Sequence, residues 1–403
     1  MPRIFITYTL LSLFFIFSCT KESTSTDIDS SPSDDLSIPE PNNIVFIEEA
    51  ALHNSSLLHN ILNLVSQEVF EIDLDDVSRY KMTYSTSDLN QNPITASGVL
   101  FLPQNKKPEG IIFLQHSTIQ SNDAAPSNSV IGVNEYTVGA LYAASGYLVL
   151  MPDHIGYGIS YDQVHPYELK NAYTISSYDF LLAGHSFLKE QKLDIPDELI
   201  LVGYSNGAYA SLSLHQFLEN ETEFNVNATY SGGGAYDKSA FSKSILMEKQ
   251  ELSFIGTYLW VLDVYNRNYS NLNRSWDNYI QEPYATKIDA LGPLKSAVPD
   301  SLINLNPQLL FQPTFIKGII MESDQVFISR LEDNNVSNWS PKAPIYLFHG
   351  SEDDFVFPIN SENTFESLLK NGATINYTVL EGKNHIEAVI PFFTQVLTRL
   401  GEP

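Results

Sequence analysis

Ser205 sits in Gly203-Tyr204-Ser205-Asn206-Gly207, a serine between two glycines at alternate positions. A serine hydroxyl is a poor nucleophile until a base takes its proton. The base in turn needs a carboxylate to fix its tautomer. His385, in Gly382-Lys383-Asn384-His385, is the base candidate. The stretch HGSEDDFVFP, residues 349–358, offers Asp353 and Asp354 as the carboxylate. Together these residue types supply the parts for nucleophilic acyl transfer through a covalent intermediate.

The flanking sequence must position them. The run ELILVGYS (198–205) is continuously apolar up to its end, as in a strand buried on both faces. Residues 207–220 have helical spacing. Ser205 therefore falls in a strand–turn–helix. In so tight a turn, a Cβ at Gly203 or Gly207 would collide with the strand or the helix. The serine is held strained with its Oγ exposed, and the helix N-terminus favours a developing negative charge. Further apolar runs at 110–116, 147–153, 344–350 and 375–382 predict strands. Helical spacing recurs over 135–146, 171–191, 365–372 and 387–400. Residues 79–103 read as two extended runs around an Asn/Pro turn. This alternation predicts an α/β fold, a mostly parallel sheet with helices on both faces. The interval between Asp353 and His385 leaves room for one helix and one strand.

Between about 238 and 341 the rhythm stops. This stretch carries Phe254, Tyr258, Trp260, Tyr265, Tyr269, Trp276, Tyr279 and Tyr284. It reads as a helical insertion that caps a pocket, most of its aromatics filling its own core and a few lining the pocket. His116 and His154, at strand ends near the expected site, are candidates for a supporting role. His185 and His215 fall in helices and read as packing or surface residues, and His349 as a holder of its loop. No His-Glu-x-x-His spacing and no cysteine cluster occurs, so no metal is expected. SGGGAYD (231–237) lacks the residues of a phosphate loop and the spacing of a dinucleotide fingerprint. It reads as a strand end passing close to the site, and no cofactor is expected.

GYSNG, HGSEDDFVFP and GKNH resemble the three motif regions of serine α/β-hydrolases, in that family's chain order of Ser, Asp, His. The resemblance covers about residues 79–400. MPDHIGYG (151–158) and HPY (165–167) are similar to a segment of its secreted lipase/esterase-like branch. The resemblance implies an α/β-hydrolase fold with a helical cap, Ser205 as nucleophile and His385 as base. The family's aspartate falls on Asp353. Phe357 separates Val356 from Pro358 where the family has Pro directly after Val, which leaves Asp354 as the other acid. The oxyanion hole should use the Asn206 N–H and a donor from the loop after 110–116. Where family members often have His-Gly, this chain has His116-Ser117-Thr118. A positive φ at Ser117 would be costlier than at glycine, so Thr118 is the expected donor and Ser117 the alternative.

The first residues, MPRIFITYTLLSLFFIFSCTKE, read as an export signal: Arg3, then a short apolar stretch ending at Ser18-Cys19. Cys19 is the only cysteine, and IFSC resembles a bacterial lipoprotein box. The expected organisation is a signal peptide over 1–18, a lipid-anchored, disordered Ser/Thr/Asp/Pro tether over 19–43, and a hydrolase domain over 44–403. An exported lipoprotein is expected, held at the outer membrane, in the periplasm or at the cell surface by its lipid anchor alone. The net charge of −26 disfavours nucleic acid and anionic membrane surfaces as partners. The expected activity is carboxylic ester hydrolysis, of the esterase or lipase kind, on a small-molecule or lipid ester. A non-catalytic ligand-binding lipoprotein, a serine peptidase and an acyltransferase on the same fold are the alternatives.

Overall fold

The computed structural model describes residues 44–66, 72–132, 134–194 and 196–401. The expected signal peptide, Cys19 and the tether lie outside the described residues.

Nine strands form one sheet: β1 (Ile44–His53), β2 (Val77–Ser87), β3 (Pro93–Pro103), β4 (Ile111–Gln115), β5 (Leu148–Pro152), β6 (Leu199–Tyr204), β7 (Ala228–Gly232), β8 (Ile345–Gly350) and β9 (Ile375–Leu380). Their order is β1-β2-β3-β5-β4-β6-β7-β8-β9. The first four in that order pair antiparallel, and every pairing from β5 to β9 is parallel. Helices α1 (Ser55–Ser66), α2 (Glu135–Ala144), α3 (Lys170–Glu190) and α4 (Asn206–Glu221) come in the first half of the chain. Six further helices follow β7: α5 (Lys238–Met247), α6 (Ile255–Asn268), α7 (Tyr284–Asp289), α8 (Pro307–Leu310), α9 (Pro313–Ile320) and α10 (Gln325–Asp333). Helix α11 (Ile359–Lys370) precedes β9, and α12 (Val389–Leu400) follows it.

The predicted α/β class with a mostly parallel sheet is what the chain adopts, and the physical reason is visible in the strands. Every residue of β4, β5 and β6 is buried. Alternate side chains pack against opposite layers. Ile112, Leu114 and Val202 join a core with α2 and α12 residues such as Tyr142 and Phe392. Ile111, Phe113 and Leu201 join another with Phe180, Leu181 and Leu214 of α3 and α4. A strand covered on both faces cannot show polar alternation, which is why these runs read as continuously apolar.

Helices α5 to α10 build the insertion around a third core. Trp260, Tyr265, Trp276 and Tyr279 are buried in it, while Tyr258, Tyr269 and Tyr284 pack against it half-buried. This core includes Tyr167 and Val356, so the insertion is seated on loops of the sheet domain. Strand β1 and helix α1 are elements that the sequence pattern does not predict, and of β7 it marks only the end. β1 is an edge strand, mostly exposed, and β7 is five residues ending in the SGGG segment.

Candidate active site

β6 ends at Tyr204 and α4 begins at Asn206, so Ser205 alone makes the turn, with φ 55° and ψ −120°. Its N–H donates to the Gly232 carbonyl at 2.7 Å, across to the end of β7. Gly203 and Gly207 make the turn sterically feasible. A Cβ on Gly203 would lie 2.1 Å from the Gly207 carbonyl oxygen, and one on Gly207 2.0 Å from the Gln115 carbonyl oxygen. The second approach presses the start of α4 against the end of β4.

The carboxyl ends of parallel strands gather the other groups, as open α/β sheets do. Asp353 follows β8 and His385 follows β9. His385 Nε2 is 2.9 Å from Ser205 Oγ, and its Nδ1 is 2.6 Å from Asp353 Oδ2. All three residues are buried. Asp353 Oδ1 accepts the backbone N–H groups of Phe355 and Val356 at 3.0 and 2.8 Å. Burial pushes the Asp353 carboxyl up, but His349 and His385 beside it outweigh that and hold it at about 2. It is therefore a carboxylate at any neutral pH. Asp354 is exposed, so of the two acids only Asp353 meets His385. His349 holds this loop: its Nε2 is 2.6 Å from the Val356 carbonyl oxygen and its Nδ1 2.6 Å from Ser361 Oγ.

In the loop after β4, none of His116, Ser117 and Thr118 has a positive φ, so the missing glycine imposes no strain there. The Ser117 N–H and hydroxyl both donate to the Glu135 carboxylate, at 2.7 and 2.5 Å. That use leaves neither Ser117 group free. Burial pushes the Glu135 carboxyl up, against the pull of these two bonds. The backbone N–H of Thr118 has no partner among the described residues. Asn206, as the first residue of α4, has no intrahelical acceptor for its own N–H. Thr118 Oγ1 is 2.6 Å from the Tyr167 hydroxyl. The Asn206 side chain accepts from the Tyr173 hydroxyl at 2.7 Å.

The ring of His116, a residue of this loop, lies with its centroid 4.6 Å from that of His154. Burial, then the neighbouring His116 and His165, push His154 well below its usual value, so it is neutral. His215 is buried between Thr229 and Glu219. Among the described residues no group of His, Cys, Asp and Glu is placed to hold a metal ion.

The insertion closes over His385. Phe355 stacks on Phe254 at 4.0 Å and meets the His385 ring edge-on at 4.9 Å. The Tyr258 hydroxyl donates to the Phe355 carbonyl at 2.6 Å. Beneath, Ser205 opens onto a cavity of about 90 Å³ lined by Phe241, Ile245, Tyr258 and Val261, and also by Glu168 and Lys238. The sequence gives no local sign of this last pair: the partners are 70 residues apart and match no motif. Glu135 and Tyr204 are further contributors that no sequence pattern marks.

A buried Ser–His–Asp line at the carboxyl ends of a mostly parallel sheet, under a helical cap, defines an α/β-hydrolase. The chain belongs to the secretory lipase family, whose profile matches residues 122–398, and is an ester-hydrolysing enzyme. No curated protein sequence matches it. Solved structures share the fold at low identity. A Legionella pneumophila protein is 23% identical with a TM-score of 0.76, over 89% of this chain and 97% of that one. The ligand-bound rice cell wall degrading esterase LipA of Xanthomonas oryzae is 20% identical with a TM-score of 0.74, over 90% and 98%. Candida antarctica lipase A is 15% identical with a TM-score of 0.62, over 90% and 83%.

Proposed function

We propose that the protein is a serine carboxylic ester hydrolase working through an acyl-enzyme, with Ser205 as nucleophile, His385 as base and Asp353 as the acid that orients it. The observation that carries this reading is the unbroken line of 2.9 and 2.6 Å contacts from Ser205 Oγ through His385 to Asp353. His385 Nε2 takes the Ser205 proton as Oγ attacks the ester carbonyl. Asp353 stabilises the imidazolium that forms. The N–H groups of Asn206 and Thr118 donate to the oxyanion, aided by the α4 N-terminus. The carbon–oxygen bond to the alcohol then breaks, and the alcohol leaves with the proton from His385. Water, deprotonated by the same imidazole, attacks the acyl-enzyme, and the acid departs as Ser205 regains its proton.

The secretory family and the apolar N-terminal stretch support an exported protein. Anchoring through lipidated Cys19, ahead of a tether over 19–43 and a hydrolase domain over 44–403, is proposed on the sequence alone. No helix among the described residues is long and apolar enough to cross a membrane.

The test is a fluorophosphonate probe with the adduct located by mass spectrometry, beside a panel of para-nitrophenyl esters of rising chain length. Labelling at Ser205 that Ser205→Ala abolishes, together with ester turnover, is the expected result. A folded protein that neither labels nor cleaves any ester refutes the reading.

A further inference from the structure

The cavity under Ser205 is not uniformly apolar. Glu168, just ahead of α3, and Lys238, the first residue of α5, form an ion pair in its wall, each side chain only 6% exposed. Lys238 Nζ also sits 3.6 Å from the centroid of the Tyr209 ring. An ammonium has three donors, and Glu168 is the only hydrogen-bond acceptor that Lys238 Nζ has among the described residues. Glu168 Oε1 has no partner among them either, and it is not among the polar atoms sealed from solvent. Ser242 and Thr257 line the same cavity, and their hydroxyls are likewise unpartnered among the described residues. A second pocket lies beside this cavity, within the cap. This second pocket, of about 70 Å³, has Ser242, Tyr258 and Tyr265 among the residues it shares with the first, and Phe311, Phe315 and Phe327 among the rest of its wall.

Stability does not account for the pair. Hydrophobic residues of similar volume often serve as well or better in place of a buried ion pair. Glu168 is moreover held at φ 57°, a conformation that a non-glycine residue adopts at a cost. A plain methylene chain lying along this wall would strip water from the Lys238 and Glu168 groups and give nothing back. A hydroxyl both donates and accepts, so it can accept from Lys238 and donate to Glu168 Oε1 at once.

We propose that Glu168 and Lys238 are specificity-determining residues that select an ester carrying a hydroxyl along its chain, with an apolar end seated in the cap. The inference rests on the serine hydrolase reading above. The hydroxyl could belong to the acyl part or to the alcohol part of the ester. The shared chemistry is a neutral hydroxyl-bearing chain, and the test separates the two sources.

The experiment compares kcat/KM for matched esters by pH-stat titration. One arm uses methyl decanoate and its hydroxylated analogues, the hydroxyl moved stepwise along the acyl chain. The other uses decyl acetate and the monoacetates of the matching diols. At the best position, in one arm, the hydroxylated ester should exceed its plain counterpart by about 10- to 100-fold, as expected for hydrogen bonds to charged groups. In the double variant Glu168→Leu with Lys238→Met the ratio should fall to about one or below, an effect that a merely structural role for the pair would not produce. A wild-type ratio of one or below at every position in both arms overturns the inference, as does an unchanged ratio in a folded double variant. If fluorophosphonate labels Ser205 while the ratio stays flat, the inference falls alone. If nothing labels and no ester turns over, it falls with the reading beneath it.

Discussion

The Tyr204 hydroxyl donates to the carbonyl oxygen of His385 at 2.6 Å. Tyr204 immediately precedes Ser205, so the strand that delivers the serine also ties down the backbone of His385. The Tyr204 ring packs against Phe392 and Phe393 of α12, which secures the same loop from its far side. Tyr204→Phe keeps that packing and leaves the buried His385 carbonyl unpaired. Stability should fall by about 2 kcal/mol in urea denaturation. If Tyr204 is a positioning residue, kcat should fall about tenfold with KM little changed.

The crossing of α4 over β4 tolerates no side chain at Gly207. Gly207→Ala drives a Cβ into the Gln115 backbone oxygen, which only a shift of strand or helix relieves. The expected loss exceeds about 3 kcal/mol. Gly292→Ala is the control. Gly292 has φ 65° and nothing within 4 Å of an added Cβ. It should lose about 1 kcal/mol, from backbone conformation alone. Thermal melts of the two variants give the comparison.

Asp353 sets a pH dependence whose sign follows from its lowered value. A carboxyl held at about 2, against an ordinary 3.8, adds stability that is fully present above 3.8. That contribution is lost as pH falls toward 2 and amounts to about 2 kcal/mol. Asp353→Asn should flatten the curve of stability against pH in that window. At neutral pH it should lower kcat by about 10⁴-fold, because the wrong imidazole tautomer then faces Ser205. Asp354→Asn, at an exposed position, should leave both quantities near wild type.

The Glu168–Lys238 pair should be far more sensitive to losing one member than both. Lys238→Met strands a buried carboxylate and should cost about 3 to 5 kcal/mol. Glu168→Leu combined with Lys238→Met should return stability to near the wild-type value. Denaturant midpoints for the two single variants and the double variant complete the cycle.

Whatever is fixed by neighbours in the chain was legible in the sequence. Ser205 between Gly203 and Gly207, at a strand–helix junction, announces its turn because a serine at positive φ needs bare α-carbons two residues to either side. The continuous apolar runs of β4, β5, β6 and β8 announce a sheet covered on both faces. Strand β7 was legible only at its end, because four of its five residues, Ala228 to Gly232, are small or polar; it is a strand because β6 and β8 pair with it. Edge strand β1 escaped because it buries little. The aromatic richness of 238–341 indicated a capping insertion, and the cap does carry its own core.

Contacts between residues distant in the chain were decided only by the tertiary structure. Asp353 and Asp354 are neighbours of one type in one loop, and only the placement of β8 beside β9 turns the first toward His385. Whether Ser117 or Thr118 has a free N–H depended on Glu135, which α2 carries to the loop. The Glu168–Lys238 pair exists because the insertion folds back onto the loop before α3. Local spacing specifies backbone conformation and which residue types can do chemistry. Which polar groups are paired and which are left facing the cavity is a matter of burial, and burial exists only once the sheet and cap have closed.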